Sequence, residues 1–325
     1  MMAECMNPED WLATIKKEYL QDFIKEGGTA VKFVVPLEGA EFSQIQSGLQ
    51  TLAGSENYAY FSVDSANVKI HLIEQLFYQV AKQADWDGMV LTFLRSLLQS
   101  HYQLPDSPVE FNLKQIALLN GYEEREIRIF INNRLKESLF KNYAIAQEFR
   151  IAMLMLCRYQ LDAEEVGAEL YASIKAWLRG ELRLVSALKR TLIFQKIGRH
   201  NARHMLFSLS QWLKLCGKNG MVLSLDISRY LYDRSKEPDN SLYYSTSAVL
   251  DCYEVLRQFI DGTDESEYSF IAVLAQPRFL DEEDRRSVDI YEALKLRIWN
   301  EVRDKTYVNP LASLVRISCC QNSTG

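Results

Sequence analysis

Two short apolar runs, one near the start of the chain and one about two-thirds of the way along it, narrow the fold more than any other feature. Val31-Lys32-Phe33-Val34-Val35 and Met221-Val222-Leu223-Ser224-Leu225 set apolar side chains on both sides of an extended segment. A strand with one wet face alternates with period two. Runs without that alternation mark strands buried on both faces, as in parallel sheets covered by helices. Segments 58–63, 270–275 and 314–317 fit the same scheme. Helical patterns separate them, and strands alternating with helices predict an α/β domain with a mostly parallel, five-stranded sheet.

The helical segments set the organisation. Asn7 reads as an N-cap, Pro8 as the first helical residue, and Glu9 and Asp10 as first-turn acids, so a helix should run to about Lys25 and stop at Gly27-Gly28. A second helix follows the first strand over about 41–52. No strand pattern occurs between Asp64 and Gly220. Segments 68–102, 113–119, 123–140, 143–159, 164–177 and 182–215 all read as helix, and Gly217-Lys218-Asn219-Gly220 reads as a turn. Helices are also expected over 247–260 and 290–302. The expected organisation is half of an α/β core over 1–66, a large helical insertion between strands 2 and 3 over 67–215, and the second half of the core over 216–325.

With 325 residues, 48% of them hydrophobic, the chain can build a core without disulfides or a structural metal. Its net charge of −6 gives no global argument for nucleic-acid binding. The cysteines (Cys5, Cys157, Cys216, Cys252, Cys319 and Cys320) form no CxxC pair, a pattern suited to a reducing compartment. The first residues carry no apolar leader and no apolar run is long enough to span a bilayer, so a cytoplasmic protein without membrane contact is expected.

A strand leading through a loop into a helix, with a later apolar strand ending in Asp, is the outline of a P-loop fold. A working P-loop uses glycine amides to cradle phosphate, a Lys to reach the terminal phosphates and a Ser or Thr to hold Mg²⁺. The corresponding stretch here is Pro36-Leu37-Glu38-Gly39-Ala40-Glu41-Phe42-Ser43. It keeps one glycine, no Lys lies between Lys32 and Lys69, and Glu38 and Glu41 oppose a polyphosphate. Asp226 matches the acid that holds Mg²⁺, but Ile227 follows it where a water-positioning Glu would stand. Glu38, Gly39, Ser43 and Asp226 therefore read as positions of a degenerate nucleotide site, or as an ordinary strand-to-helix turn and a strand-end Asp that caps a loop, with no catalytic residue and no cofactor expected. ATP with Mg²⁺ belongs only to the alternative, a divergent ATPase.

Eight cations lie between Lys175 and Arg203: Lys175, Arg179, Arg183, Lys189, Arg190, Lys196, Arg199 and Arg203. Glu181 is the one acid among them. Lys175, Arg179 and Arg183 are four apart and should share a helix face. Such a surface suits DNA, RNA or an acidic protein, or is a solvated face balancing the acidic remainder. His200 and His204 have a zinc-compatible spacing, but without a third ligand no metal site is expected.

Several stretches together resemble the ATP-binding protein family of BREX phage-defence systems. These are Ile15–Gly39, Trp177-Leu178-Arg179-Gly180-Glu181, Asn201-Ala202-Arg203 with the following 206–226, and the 290–298 segment with Val302-Arg303-Asp304 and Asn309-Pro310. The resemblance implies an AAA-like P-loop ATPase fold (AAA/RecA-like) within a multi-gene defence locus. Protein partners from that locus are then expected, an active ATPase paralogue among the candidates, with DNA a candidate partner through the basic segment. Arg297 and Arg303 match positions that such a protein would use to sense phosphate. The family's Walker A Gly-Lys-Thr element has no match at Gly39–Ser43, and its Walker B acid pair is reduced to Asp226. The expectation is therefore a P-loop fold in a pseudo-ATPase subunit or adaptor.

Overall fold

In the computed structural model, which describes residues 6–37, 41–233, 242–299 and 309–318, the apolar runs form one sheet. Its strands are β1 (Thr29–Pro36), β2 (Ala59–Asp64), β3 (Met221–Asp226), β4 (Ser269–Leu274) and β5 (Leu314–Ile317). Their order is β2-β3-β4-β1-β5, and all four pairings are parallel. The sheet is thus wholly rather than mostly parallel. β1, β3 and β4 are buried almost throughout, which explains their lack of polar alternation. Gly220 makes the entry to β3 possible. Its φ is +137°, and a Cβ there would stand 2.1 Å from the Tyr268 carbonyl oxygen.

The chain begins with α1 (Pro8–Thr14), capped as expected by Asn7, whose Oδ1 accepts the Glu9 N–H at 2.9 Å. The helix continues over Ile15–Phe23 with wider, π-type turns and ends at Gly27 in a positive-φ conformation. After β1 comes α2 (Phe42–Ser55). The helical stretch then runs through α3 (Ile73–Gln83), α4 (Trp86–Leu98), α5 (Leu113–Asn120), α6 (Glu124–Leu135), α7 (Gln147–Leu161), α8 (Ala163–Val166), α9 (Ala168–Leu178) and α10 (Ala202–Leu215). Two more helices, α11 (Thr246–Asp261) and α12 (Glu292–Ile298), precede β4 and β5 respectively. The chain divides into two compact units, one made of 1–76 with 218–325 and the other of 77–217.

In the first unit the sheet carries a core on each face. Ala30, Val34, Val222, Phe270, Leu274, Val315 and Ile317 pack with Trp11, Ile15, Ile24, Ile45 and Leu49 from the first two helices and the π-type turn. On the opposite face Phe33 stacks on Phe279, with ring centroids 5.9 Å apart, and Tyr253 of α11 meets Phe279 edge-on. Burying each such ring contributes roughly 2–3 kcal/mol, so these contacts hold the sheet between its layers.

In the second unit Phe93 of α4 packs on Trp212 of α10 at 4.9 Å, and the Ser208 hydroxyl accepts the Ala146 N–H at 2.9 Å. Two long helices expected here are broken. The 68–102 pattern is interrupted at Asp85, which caps α4 through the Gly88 N–H. The 182–215 pattern becomes helix only at Ala202. Before that, the chain makes a 3₁₀ segment over Val185–Thr191 and an irregular strap to residue 201. Tertiary hydrogen bonds replace helical ones. Trp177 Nε1 donates to the Gln195 carbonyl at 2.9 Å, and Tyr78 Oη donates to the Ile197 carbonyl. Leu188, Ile193 and Ile197 are buried at spacings of five and four, which a single helical stripe does not produce.

Candidate functional site

In parallel α/β sheets ligands bind beyond the carboxyl ends of the strands, because loops converge there and helix amino termini point there. β1 and β3 both end on that edge, in the same unit. The P-loop outline predicts Pro36 and Asp226 at adjacent strand ends, but the two strands are not neighbours. β4 lies between them, with Leu274 opposite both Val34 and Asp226. Two inter-strand spacings, about 10 Å, therefore separate the two strands. Sequence order could not reveal this, since β4 returns to pair with β1 after a crossover through 227–268.

The loop after β1 leaves the sheet with the Leu37 N–H donated to the Ile317 carbonyl at 2.7 Å. Glu38 and Gly39 lie outside the described residues. Glu41 is the N-cap residue of α2 and caps no backbone N–H with its side chain. Instead its Oε2 accepts the Ser43 hydroxyl at 3.1 Å, so the Ser43 oxygen that a Mg²⁺ site would use is tied to an anion. A carboxylate at this end of α2 occupies the place where the helix dipole favours negative charge.

Asp226 sits half-buried at the end of β3, opposite Asp64 at the end of β2. Its Oδ1 accepts the Ser228 N–H at 2.8 Å, turning the chain after the strand. Burial, with the neighbouring Asp64 charge adding to it, holds the Asp226 carboxyl above the usual carboxylate range. Asp64 makes a similar turn, accepting the Ala66 N–H at 2.7 Å and Asn67 Nδ2 at 3.3 Å. Ile227 is fully buried and donates its N–H to the Leu274 carbonyl at 2.9 Å. The position after the acid is therefore part of the core.

Arg297 is not brought to this edge. Its guanidinium pairs with both carboxylate oxygens of Asp261 and donates to the Ala293 carbonyl. Asp261 closes α11, on the side where the chain turns back toward the start of β4. Arg303 lies outside the described residues.

Two buried cations escape the motif reasoning. Lys32, on β1, is 5% exposed. Its ammonium donates to the carbonyls of Leu311 and Ala312 just before β5 and lies 4.6 Å from the Tyr19 ring centroid. Burial lowers its pKa to about 8. This lysine fastens β5 to β1 and stands five residues before the loop that would hold phosphate. Arg286, also 5% exposed, donates to the carbonyls of Tyr230 and Tyr244 at 3.0 Å each and to the Tyr243 hydroxyl at 3.1 Å. It thereby joins the two described ends of the loop after β3. A polar residue in an apolar run was the available signal for Lys32; Arg286, in a run of charges, gave none.

The basic segment does not form one helical face. Helix α9 ends at Leu178 and Gly180 turns the chain at φ +74°, so Arg183 leaves the face carrying Lys175. Lys175 bonds to Asp87 at 2.7 Å and lies 5.0 Å from the Tyr171 ring centroid. Arg179 is half-buried, with its Nε out of solvent, and Arg203 is half-buried and engaged. Arg183, Lys189, Arg190, Lys196 and Arg199 are exposed, and none of them has an ion pair or side-chain hydrogen bond among the described residues. His200 precedes α10 while His204 lies on it. Among the described residues no three His, Cys, Asp or Glu side chains cluster as a metal site would require, and no helix is long and apolar enough to cross a membrane.

No curated protein and no solved structure significantly matches the chain. A family model described as BREX system ATP-binding protein BrxC/D matches residues 17–323, nearly its whole length. The match takes in the sheet, the helical stretch and the stretches that first carried the resemblance. The chain therefore belongs to the BrxC/D family of ATP-binding proteins of the BREX phage-defence system.

Proposed function

We propose that this BREX component keeps a P-loop-like (AAA/RecA-like) core but works as a non-hydrolysing subunit or adaptor that acts through protein partners of its defence locus. The observation that carries the reading is the local chemistry after β3: Asp226 is spent on a backbone turn, and Ile227 is buried where water would need positioning. The loop after β1 adds to it. The chain has no lysine between Lys32 and Lys69, and Lys32 is bonded to backbone carbonyls near β5. Phosphoryl transfer depends on a cation and Mg²⁺ holding the γ-phosphate while another group orients water, and losing several parts of one such unit leaves little for the rest to do. The all-parallel sheet, with β1 and β3 opening on one edge, supports the P-loop-like architecture. Membership of a multi-protein defence system supports partners from the same locus, an active ATPase paralogue among the candidates, and a cytoplasmic site of action is part of the same proposal.

The test is a thermal melt with and without Mg-ATP, run beside a phosphate-release assay with Asp226→Ala as control. A ligand that binds only the folded state raises its stability with concentration, by about 2.7 kcal/mol at a hundredfold excess over Kd. No shift and no turnover are expected. An ATP-dependent rise in melting temperature would restore nucleotide binding, and turnover abolished by Asp226→Ala would replace this reading with the divergent ATPase.

A further inference from the structure

The strap over 182–200 is unusual in three independent ways. It carries Arg183, Lys189, Arg190, Lys196 and Arg199 with no acid, in a chain whose net charge is −6. It exposes Leu184, Leu192 and Phe194 at 71%, 64% and 67%. Leu192 adopts a left-handed conformation at φ +66°, which is rare and costly for a residue with a side chain. Folding alone does not favour such a strap: unpaired like charges repel, exposed apolar side chains gain nothing, and the backbone is strained.

The strap is nevertheless held in place. Leu188, Thr191, Ile193 and Ile197 are buried beneath it. Its carbonyls at Gln195 and Ile197 accept bonds from Trp177 and Tyr78, and Gln195 Nε2 donates to Glu148 Oε1 at 3.0 Å. Residues between these anchors, Lys189, Arg190, Leu192, Phe194 and Lys196, are exposed. Cations and an aromatic ring are thus presented from a fixed backbone.

We infer that this strap binds single-stranded nucleic acid, with Arg183, Lys189, Arg190, Lys196 and Arg199 on the phosphates and Phe194 as a stacking platform for a base. Sequence-tolerant single-strand sites combine a basic track for the backbone with aromatic faces for the bases. A protein partner fits less well. Protein interfaces gather apolar residues into a core and exclude lysine from it, whereas here the apolar side chains are interleaved with cations. The inference is independent of the reading of the ATP site, and its test contains no ATP.

Labelled oligothymidine of about 20 nucleotides, oligouridine and duplex DNA of the same length are titrated with the protein by fluorescence anisotropy at several salt concentrations, with polyglutamate as competitor. Either single strand should bind more tightly than the duplex, and preference between the two identifies DNA or RNA as the natural strand. Each neutralised single-strand phosphate contributes about −0.7 to the slope of log K against log salt, so engagement of three to five cations gives a slope between about −2 and −3.5. Phe194→Ala should weaken single-strand binding by about tenfold without changing that slope, while Phe194→Tyr binds like the parent. The double variant Lys189→Glu, Arg190→Glu should lose binding and flatten the slope. Because these side chains are exposed, the variants should melt with the parent, which separates loss of contact from loss of fold. Absence of binding at about 50 mM salt would overturn the inference. So would equal affinity for duplex, indifference to Phe194→Ala, or displacement by polyglutamate as efficient as by oligothymidine, which would mark an acidic-protein surface instead.

Discussion

Lys32 gives a prediction that can be followed from one side chain to a bulk measurement. Its ammonium is buried on β1 with a pKa lowered to about 8 from 10.5, the cause being loss of water around the charge. Below about pH 8 both folded and unfolded chains carry the proton, and the fold bears the full cost of a desolvated cation. Between about pH 8 and about 10.5 the unfolded chain still holds a proton that the folded chain has released, so stability rises with pH across that window. At about 1.4 kcal/mol per pH unit, the rise totals about 3 kcal/mol. Lys32→Met has nearly the same length and no titration, so it should lack this rise. Its stability at neutral pH balances two terms: relief from burying a charge, and loss of the donors to the Leu311 and Ala312 carbonyls. The informative quantity is therefore the pH slope rather than the offset. Urea unfolding followed by tryptophan fluorescence, repeated from neutral to alkaline pH on both proteins, gives it by subtraction, which removes the other lysines, tyrosines and cysteines. Equal slopes in the two proteins would refute the argument and mean that the carbonyl bonds keep Lys32 charged through the window.

Three other outcomes follow from the same structure. Gly220→Ala should destabilise by more than about 1 kcal/mol, since a Cβ meets the Tyr268 carbonyl oxygen at 2.1 Å from a φ of +137°; urea midpoints of the two proteins measure it. Asp226→Asn should raise the melting temperature at neutral pH, because the folded state holds that carboxyl above its usual range and so pays to ionise it. The sign reverses the usual carboxylate case: the parent loses stability as pH rises from the unfolded value through the folded one, and the Asn gain should vanish in acid below both, as melts across that range will show. Phe33→Ala should cost about 3–5 kcal/mol by emptying the layer between β1 and Phe279, read from chemical denaturation.

Strand existence and type were legible because burial on both faces leaves an unbroken apolar run, and every expected strand appears within two residues of its place. Helix continuity was less legible. The 182–201 stretch has helical composition, yet Trp177 and Tyr78 capture its carbonyls and Gly180 turns the chain before it, events that depend on residues far away in sequence or on a backbone angle. The nucleotide-site reading shows the same division. The missing Lys and the Ile after Asp226 are facts of composition. The separation of β1 from β3 by β4, and the diversion of Arg297 to Asp261, are facts of packing.

The sequence by itself therefore determined the class of sheet, the family and the residue types that follow β1 and β3, since each is written in local residue types whose physical preferences survive in any context. Only the tertiary structure decided which cations are free. Eight basic residues between 175 and 203 look alike in sequence, but Lys175 is held by Asp87, Arg179 is tucked half out of solvent, and Arg203 is engaged. Five remain exposed on an anchored strap beside Phe194. A charge acts on a partner only if the fold has not already neutralised it, and that neutralisation is set by distances across the fold that no local pattern encodes.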